Sequence, residues 1–288
     1  MHPVFNTYQV GDATITRVTE TILSTLTPDF VYADWNANDL EQLTPGSMDA
    51  AREHLLLSVH TWVVQLHGQA MLIDTGIGNG KTRPFSALFH QLDNAFLQRL
   101  DAIGVRPEQV DHVLLTHLHA DHVGWNTRWI DGQWVPTFPN ARYVFPQAEE
   151  DFYATPAAAN RLVVFNDSVA PVIESKQAIT IADGGGTYLD GIEFHPTPGH
   201  SVGHMSISLA SRGEHALFTG DIAHHPLQVR HPEWNSVFCG DGERARASRR
   251  WAFDYSAERD AMVFTAHFPE SSAGRIERHG DIYTWKFA

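Results

Sequence analysis

The run His117-Leu-His-Ala-Asp-His122 places four residues of metal-ligand type within six positions of the chain. Imidazole nitrogens and carboxylate oxygens bind zinc at roughly 2.0–2.2 Å. Alternate residues of an extended segment project to the same side, so His117 and His119 can aim at one point. Asp121 and His122 come after the bend and aim beside it. Four ligands are too many for one tetrahedral ion with an open position, so the run predicts a pair of ions.

Residues on both sides of the run support this interpretation. Val110–Thr116 precedes it and is mostly apolar, which is typical of a buried strand. His200 follows a Thr-Pro-Gly turn, Asp221 closes a predicted hairpin, and His267 follows a short apolar strand. Taken alone, each of these three residues is compatible with a solvated turn. For His117–His122, the alternative is a polar loop that is rich in histidine by chance. Their joint occurrence favours a metal site.

Hydrophobic periodicity predicts the elements around these residues. Strands are expected at 61–66, 70–73, 110–116, 142–145, 191–195, 205–209, 216–219 and 261–265, and hairpins are expected at 4–20 and 275–287. Helices are expected at 85–103, 147–153, 160–173 and 243–254. An N-terminal arm at about 22–56, without a clear period over 24–54, is expected to cover the body or a partner. No linker interrupts the chain, which predicts one domain over 1–288, with two sheets face to face and helices outside.

Composition narrows the class of protein. The 288 residues carry a formal charge of -14 with only 20 Lys and Arg, which argues against a nucleic-acid partner and favours a small-molecule substrate. The single Cys239 excludes an internal disulfide framework, and 18 histidines are an excess that a metal protein would explain. The sequence contains no apolar run of membrane-spanning length and no secretory signal, so a cytoplasmic enzyme without a membrane partner is expected. A homodimer remains an open alternative.

The order Asp74-Thr-Gly76, His117–His122, His200, Asp221 and His267 resembles the metallo-β-lactamase superfamily over nearly the whole chain. This resemblance implies an α/β (α+β) fold, an αββα four-layer sandwich with the metals at one edge of the two sheets. It implies two divalent ions, expected to be zinc. The implied ligand sets are His117, His119 and His200 for one ion, Asp121, His122 and His267 for the other, and Asp221 as the bridge. Asp74 is expected behind the ligands, as a carboxylate that fixes a histidine tautomer, with a plain turn acid as the alternative.

The C-terminal strand and hairpin, from Ala266 to Trp285, are similar to the branch that contains methyl parathion hydrolase and the N-acyl-homoserine lactonases. The long N-terminal arm is similar to the methyl parathion hydrolase side of that branch. The lactonases carry a tyrosine three residues beyond the bridging aspartate, whereas this chain has His224. We expect His224 to donate a hydrogen bond to the polarised oxygen of the substrate, with a loop-capping role as the alternative.

The ligand set and the resemblance together predict a dinuclear-metal hydrolase of a small ester or lactone. Two cations about 3.5–4 Å apart lower the pKa of a bridging water and generate hydroxide at neutral pH. Asp121 or Asp221 would then carry the proton towards the leaving group, and aryl phosphotriesters are expected as promiscuous substrates. The alternatives are a methyl parathion-type organophosphate hydrolase, a thioesterase, a hydrolytic dehalogenase, or a metal or ligand sensor without turnover. The expected apolar walls of the pocket are Trp125, Phe85, Phe89, Trp234 and Phe268.

Overall fold

Two compact units divide the chain, each centred on a seven-stranded sheet. The computed structural model describes residues 5–36, 38–39, 43 and 46–288. The first unit comprises Met1–Thr21 and Val59–Asp183, and the second comprises Ile22–Ser58 and Gly184–Ala288. Within the described ranges, no helix is both long enough and apolar enough to cross a membrane.

The first sheet has the strand order β1-β2-β3-β4-β5-β8-β9, and β6 and β7 form a separate hairpin. In chain order the strands are β1 (Thr7–Val10), β2 (Ala13–Leu26), β3 (Leu55–Leu66), β4 (Gln69–Ile73), β5 (His112–Leu114), β6 (Thr127–Ile130), β7 (Gln133–Pro136), β8 (Arg142–Pro146) and β9 (Ala178–Ile181). The helices of this part of the chain are α1 (Pro28–Val31), α2 (Phe96–Ala102), α3 (Gln147–Tyr153), α4 (Leu162–Ser168) and α5 (Ala170–Glu174).

Strands β4, β5, β8 and β9 pair in parallel, and this direction decides where polar residues meet. Most of their side chains are buried, as is usual for strands that pair in parallel. The carboxyl ends of parallel neighbours lie at the same edge. Asp74, which follows β4, and His117, which follows β5, are therefore delivered to one place.

The second sheet has the order β10-β11-β12-β13-β14-β15-β16. Its strands are β10 (Gly186–Leu189), β11 (Ile192–Pro196), β12 (Met205–Ser211), β13 (Glu214–Phe218), β14 (Met262–Phe264), β15 (Ala273–His279) and β16 (Ile282–Phe287), and its further helices are α6 (Leu227–Arg230) and α7 (Gly242–Glu258). β11 and β13 are both antiparallel to β12, and β14 is parallel to β13, so β11, β13 and β14 run in one direction. Their carboxyl ends therefore deliver His200, Asp221 and His267 to a common edge.

Each unit has its own apolar core. In the first, Phe96 and Leu100 of α2 pack with buried strand residues such as Leu72 and Val113. In the second, Phe253 of α7 belongs to a separate core that also contains strand residues. Burial of such side chains stabilises a fold by about 1.5–3 kcal/mol each.

Most of the elements expected from periodicity are confirmed within a few residues, but the helix expected at 85–103 is wrong over residues 85–95. Only α2 is helical in that stretch. The chain folds back as a loop instead, since the Gly80 N–H donates to the Leu92 carbonyl and the Gln91 N–H donates to the Lys81 carbonyl. The side chain of Asn79 bonds to both backbone groups of Asn94 and closes the loop. These side-chain bonds compete with helical ones and override the apolar period.

The N-terminal arm is more regular than expected from its sequence. β2 continues to Leu26, α1 follows at once, and Met48 pairs with Leu55. β-branched residues along β2 explain its length, because they favour extended backbone. Positions 37, 40–42, 44 and 45 of the arm lie outside the described residues. Covering a partner or the body stays a prediction for the arm.

Candidate metal centre

Four side chains of metal-ligand type, His117, His119, Asp121 and His122, follow β5, and we call them the first cluster. The ring centroid of His117 lies 4.5 Å from that of His119 and 4.1 Å from that of His122. Oδ2 of Asp121 is 3.8 Å from Nε2 of His122. His117 and His122 are buried, while His119 and Asp121 are half-buried. The four side chains thus lie close together, and Arg161 adds a guanidinium whose Nη1 is 2.7 Å from Nε2 of His119.

Asp74 lies behind the first cluster and fixes the orientation of its histidines. Its Oδ2 is 2.9 Å from Nδ1 of His122, and its Oδ1 accepts the Thr116 N–H at 2.8 Å. The Thr116 hydroxyl also contacts Asp74, and its oxygen is 3.0 Å from Nδ1 of His117. A carboxylate that accepts from Nδ1–H leaves the Nε2 lone pair of His122 available to a metal ion. The interpretation of Asp74 as a residue behind the ligands therefore has the expected contacts.

We expect Asp74→Asn to lower divalent-ion affinity about 10–100-fold, the usual cost of losing an outer contact to a ligand histidine. The new amide would donate to Nδ1 of His122, so the proton of the ring would move to Nε2 and block the ligand position. The measurement is a competition titration of Zn²⁺ against a chromophoric chelator.

The matched control is Asp131→Asn, since Asp131 also has a positive φ (50°, against 56° for Asp74) but lies in the turn between β6 and β7. Its metal affinity should equal that of the wild type. Equal affinities for all three proteins would show that Asp74 only shapes its turn.

A buried carboxylate that the sequence analysis missed supports the loop after Asp74. Glu20 on β2 is 2% exposed and accepts the backbone N–H groups of Ile77 and Gly78 and the indole N–H of Trp125. Burial raises the pKa of Glu20, and these hydrogen bonds oppose the rise. The sequence did contain a signal for it, since Glu20 is two residues after Val18 and therefore points to the same buried side of the strand.

The second cluster consists of His200, Asp221, His224 and His267, each at or just beyond a strand end. The Asp221 carboxylate lies among the Nε2 atoms of three imidazoles, at 3.2 Å from His200, 3.3 Å from His224 and 3.1 Å from His267. All four side chains are buried. Bringing these residues together requires three strands, so only the sheet topology could establish it.

Backbone and histidine contacts orient this cluster. Nδ1 of His267 is 2.9 Å from the Ser58 carbonyl oxygen, so a proton on Nδ1 directs the Nε2 lone pair towards Asp221. The N–H of Asp221 donates to Nε2 of His204 at 2.8 Å, and the Thr197 hydroxyl lies 2.9 Å from Nδ1 of His204. His204 was not predicted as a site residue, because it directly precedes strand β12 and has no spacing signal of its own.

The chemistry of the second cluster fits a divalent ion. The ligand atoms of His200, Asp221 and His224 all lie within 4.8 Å of one another. Neither ring nitrogen of His224 has a hydrogen-bond partner among the described residues, although the ring is buried. Burial lowers the pKa of His224, and the neighbouring Asp221 opposes this shift. A neutral imidazole beside a carboxylate is the form that binds zinc.

The five residues expected to form the apolar walls of the pocket differ in burial and in what they pack against. Trp125 stacks on Phe96 within the first core, and Phe268 lies in the second core. Trp234 is buried with its ring 4.2 Å from that of His231, and Phe85 is 49% exposed. Phe89 is partly buried against the first core. The aromatic ring beside the second cluster is Phe238, whose centroid is 5.5 Å from that of His224. A substrate contact for the expected walls stays a prediction.

Comparisons with known proteins agree with this geometry. Residues 55–267 match the model of the metallo-beta-lactamase superfamily. A probable metallo-hydrolase, YybB of Bacillus subtilis (strain 168), is 27% identical over 62% of this chain and 68% of its own length. An N-acyl homoserine lactonase of Bacillus cereus is 24% identical over 81% of this chain and 87% of its own length.

Solved structures extend the likeness to the whole fold. The hydrolase AbOPH of the beta lactamase superfamily has a TM-score of 0.82 at 26% identity and covers 99% of this chain and 97% of its own. AidC, a dizinc quorum-quenching lactonase, has a TM-score of 0.80 at 20% identity with the same coverage. Since the family match spans most of the chain, and the relatives are metal-dependent hydrolases, this chain belongs to the metallo-β-lactamase superfamily and is a metal-dependent hydrolase.

Proposed function

We propose that the chain hydrolyses small carboxylic esters or lactones with two divalent ions, expected to be zinc. The observation that carries this proposal is the second cluster, in which one buried carboxylate lies 3.1–3.3 Å from three imidazole nitrogens. Carboxylate oxygens and imidazole nitrogens are the ligand types that bind zinc, whereas the side chains of a solvated turn would be exposed. We assign the ligands as the family resemblance implies, with Asp221 as the bridge.

When bound, the two ions would supply a nucleophile from water at neutral pH and would polarise the carbonyl oxygen of the substrate, so that its carbonyl carbon is open to attack. The residues of the chain supply orientation and proton transfer. Asp74 holds the tautomer of His122, and the Ser58 carbonyl holds that of His267. Asp121 is half-buried and Asp221 is buried, and one of these carboxylates takes the proton from the nucleophile and delivers it to the leaving group.

The proposed substrate is apolar on its acyl or alcohol side. Phe238 is 37% exposed and lies beside His224, so an apolar group next to the reacting carbonyl would have a partner. The lactonase relatives support the reaction class, and the family match across both units supports a single functional domain. The overall charge of -14 argues against anionic polymers as substrates.

Removal of the metal should lower the turnover rate at least about a hundredfold, because the residues alone provide no nucleophile comparable to water activated by metal ions. The experiment is a panel of a lactone, an aryl ester, a thioester, an aryl phosphotriester and a haloalkane. Each is assayed with metal-loaded, chelator-treated and Zn²⁺-restored protein, alongside metal analysis that should give close to two ions per chain.

Turnover of the ester or lactone that chelation removes and Zn²⁺ restores is the expected result. A loaded protein that turns over only the thioester, phosphotriester or haloalkane would overturn the substrate class. Ligand binding without turnover of any compound would favour a sensor, and full activity with a single ion would overturn the dinuclear assignment.

A further inference from the structure

His224 is buried at a position where its ring has no structural hydrogen bond. It is 2% exposed, and neither Nδ1 nor Nε2 has a hydrogen-bond partner among the described residues. Nε2 is 3.3 Å from Oδ2 of Asp221 without the geometry of a hydrogen bond. Leaving a buried polar group unsatisfied costs about 1–3 kcal/mol, so such groups in native proteins require an explanation.

The position of the ring is fixed by contacts that leave both nitrogens unused. The N–H of His224 donates to the side-chain oxygen of Gln228 at 2.8 Å, and the Tyr32 hydroxyl donates to the same oxygen at 3.0 Å. The ring stacks on that of His267, with centroids 5.6 Å apart and planes within 3°. Phe238 covers another side of it. The imidazole is therefore held beside Asp221 by packing and by its own backbone.

The distances match those around a small divalent ion. Ligands bound at about 2.0–2.2 Å in a tetrahedral arrangement lie roughly 3.3–3.6 Å apart. Oδ2 of Asp221 is 3.3 Å from Nε2 of His224 and 3.2 Å from Nε2 of His200, and the two rings are 5.0 Å apart. All three side chains are buried, so no solvent competes for these atoms.

We infer that His224 is a metal ligand, which binds the same divalent ion as His200 and one oxygen of Asp221. This inference rests on the proposed function and adds an eighth ligand to the seven that the family resemblance implies. It differs from the expectation that His224 donates a hydrogen bond to the substrate.

The test compares His224→Ala and His224→Gln with His225→Gln in the full-length chain. His225 is the matched control, because it is the next residue and equally buried, but its Nε2 bonds to the Ser47 carbonyl at 3.0 Å. Zn²⁺ affinity is measured by chelator competition, and Co²⁺-loaded protein is examined by absorption and paramagnetic NMR. Circular dichroism establishes that each variant is folded.

Both His224 variants should lose about a hundredfold or more in affinity for one ion, since even outer contacts of ligands contribute 10–100-fold. The Co²⁺ spectra should lose one histidine resonance, and added imidazole should restore binding in His224→Ala. His225→Gln should resemble the wild type. The Gln variant separates the two roles, because its amide keeps an N–H donor for a substrate but ligates poorly.

Unchanged affinity and spectra in both His224 variants would overturn the inference while leaving the proposed function intact. A wild-type protein that binds neither Zn²⁺ nor Co²⁺ would overturn the proposed function itself. If His224→Ala does not fold, His224→Gln carries the same comparison, because its side chain is close in size to imidazole.

Discussion

Asp221→Ala should lower hydrolysis by about a thousandfold or more and should also remove much of the bound metal. Loss of a single electrostatic group at an active site typically costs 10²–10³ in kcat, and Asp221 is expected to serve both ions. Its carboxylate is the anion among three imidazoles, all within 3.3 Å. Without it, two cations would lack the negative charge that offsets their repulsion.

Rates on the best substrate of the panel and metal content after gel filtration are the two measurements. The matched control is Asp241→Ala, because Asp241 belongs to the same unit but caps α7, accepting the N–H groups of Glu243 and Arg244. That variant should lose about 0.5–2 kcal/mol of stability and keep its metal and activity. A fully metallated, active Asp221→Ala protein would contradict the assignment of the bridge.

Asp167→Ala should lower the free energy of unfolding by about 3–5 kcal/mol, the usual effect of removing one partner from a buried ion pair. Asp167 accepts hydrogen bonds from both Nη atoms of Arg83, at 2.6 and 2.9 Å. Its Oδ1 is also 3.7 Å from Nζ of Lys81. Both cations have fully buried side chains. The variant would leave two buried cations without the carboxylate that balances them.

Thermal unfolding measures this effect, and a loss of this size should lower Tm by roughly 6–15 °C in a chain of this length. Asp151→Ala is the control, since Asp151 is an exposed acid on α3, and it should stay within about 0.5 kcal/mol of the wild type. A double variant, Arg83→Met with Asp167→Leu, should be more stable than Asp167→Ala, because it removes an unpaired buried charge. Wild-type stability of Asp167→Ala would show that water compensates the cations.

The pH dependence gives an independent check on the same pair. Burial lowers the pKa of Lys81 to about 7, and the nearby Asp167 opposes this shift. Above that pH, Lys81 of the folded protein is deprotonated whether or not Asp167 is present. The difference in free energy of unfolding between variant and wild type should therefore be constant from about pH 8 to 10. Below that pH, Lys81 of the folded variant must either carry a charge without a carboxylate partner or stay deprotonated. In the unfolded chain Lys81 is protonated at this pH, so either choice costs stability. Its deficit should therefore grow as the pH falls from about 7 to 5.

The first cluster could be identified from the sequence because its ligands are neighbours in the chain. His117, His119, Asp121 and His122 follow a short apolar strand, and local geometry alone brings such residues together. The hairpins of β1 with β2, β12 with β13 and β15 with β16, and helix α7, were predictable for a similar reason, since alternation and helical spacing report which face of an element is buried. The positions of His200, Asp221 and His267 at strand ends were visible too, but their meeting was implied only by the family resemblance.

Tertiary structure alone decided which buried polar groups meet. Glu20 reaches Ile77 and Trp125, and Arg83 reaches Asp167, across dozens of residues. The apolar period at 85–95 predicted a helix, yet hydrogen bonds from Asn79 and Gln91 formed a loop. Periodicity in a sequence records whether a side chain is buried, because burial depends on the local geometry of one element. The partner that satisfies a buried charge or amide is supplied by another segment, and that choice is made only when the sheets and helices pack.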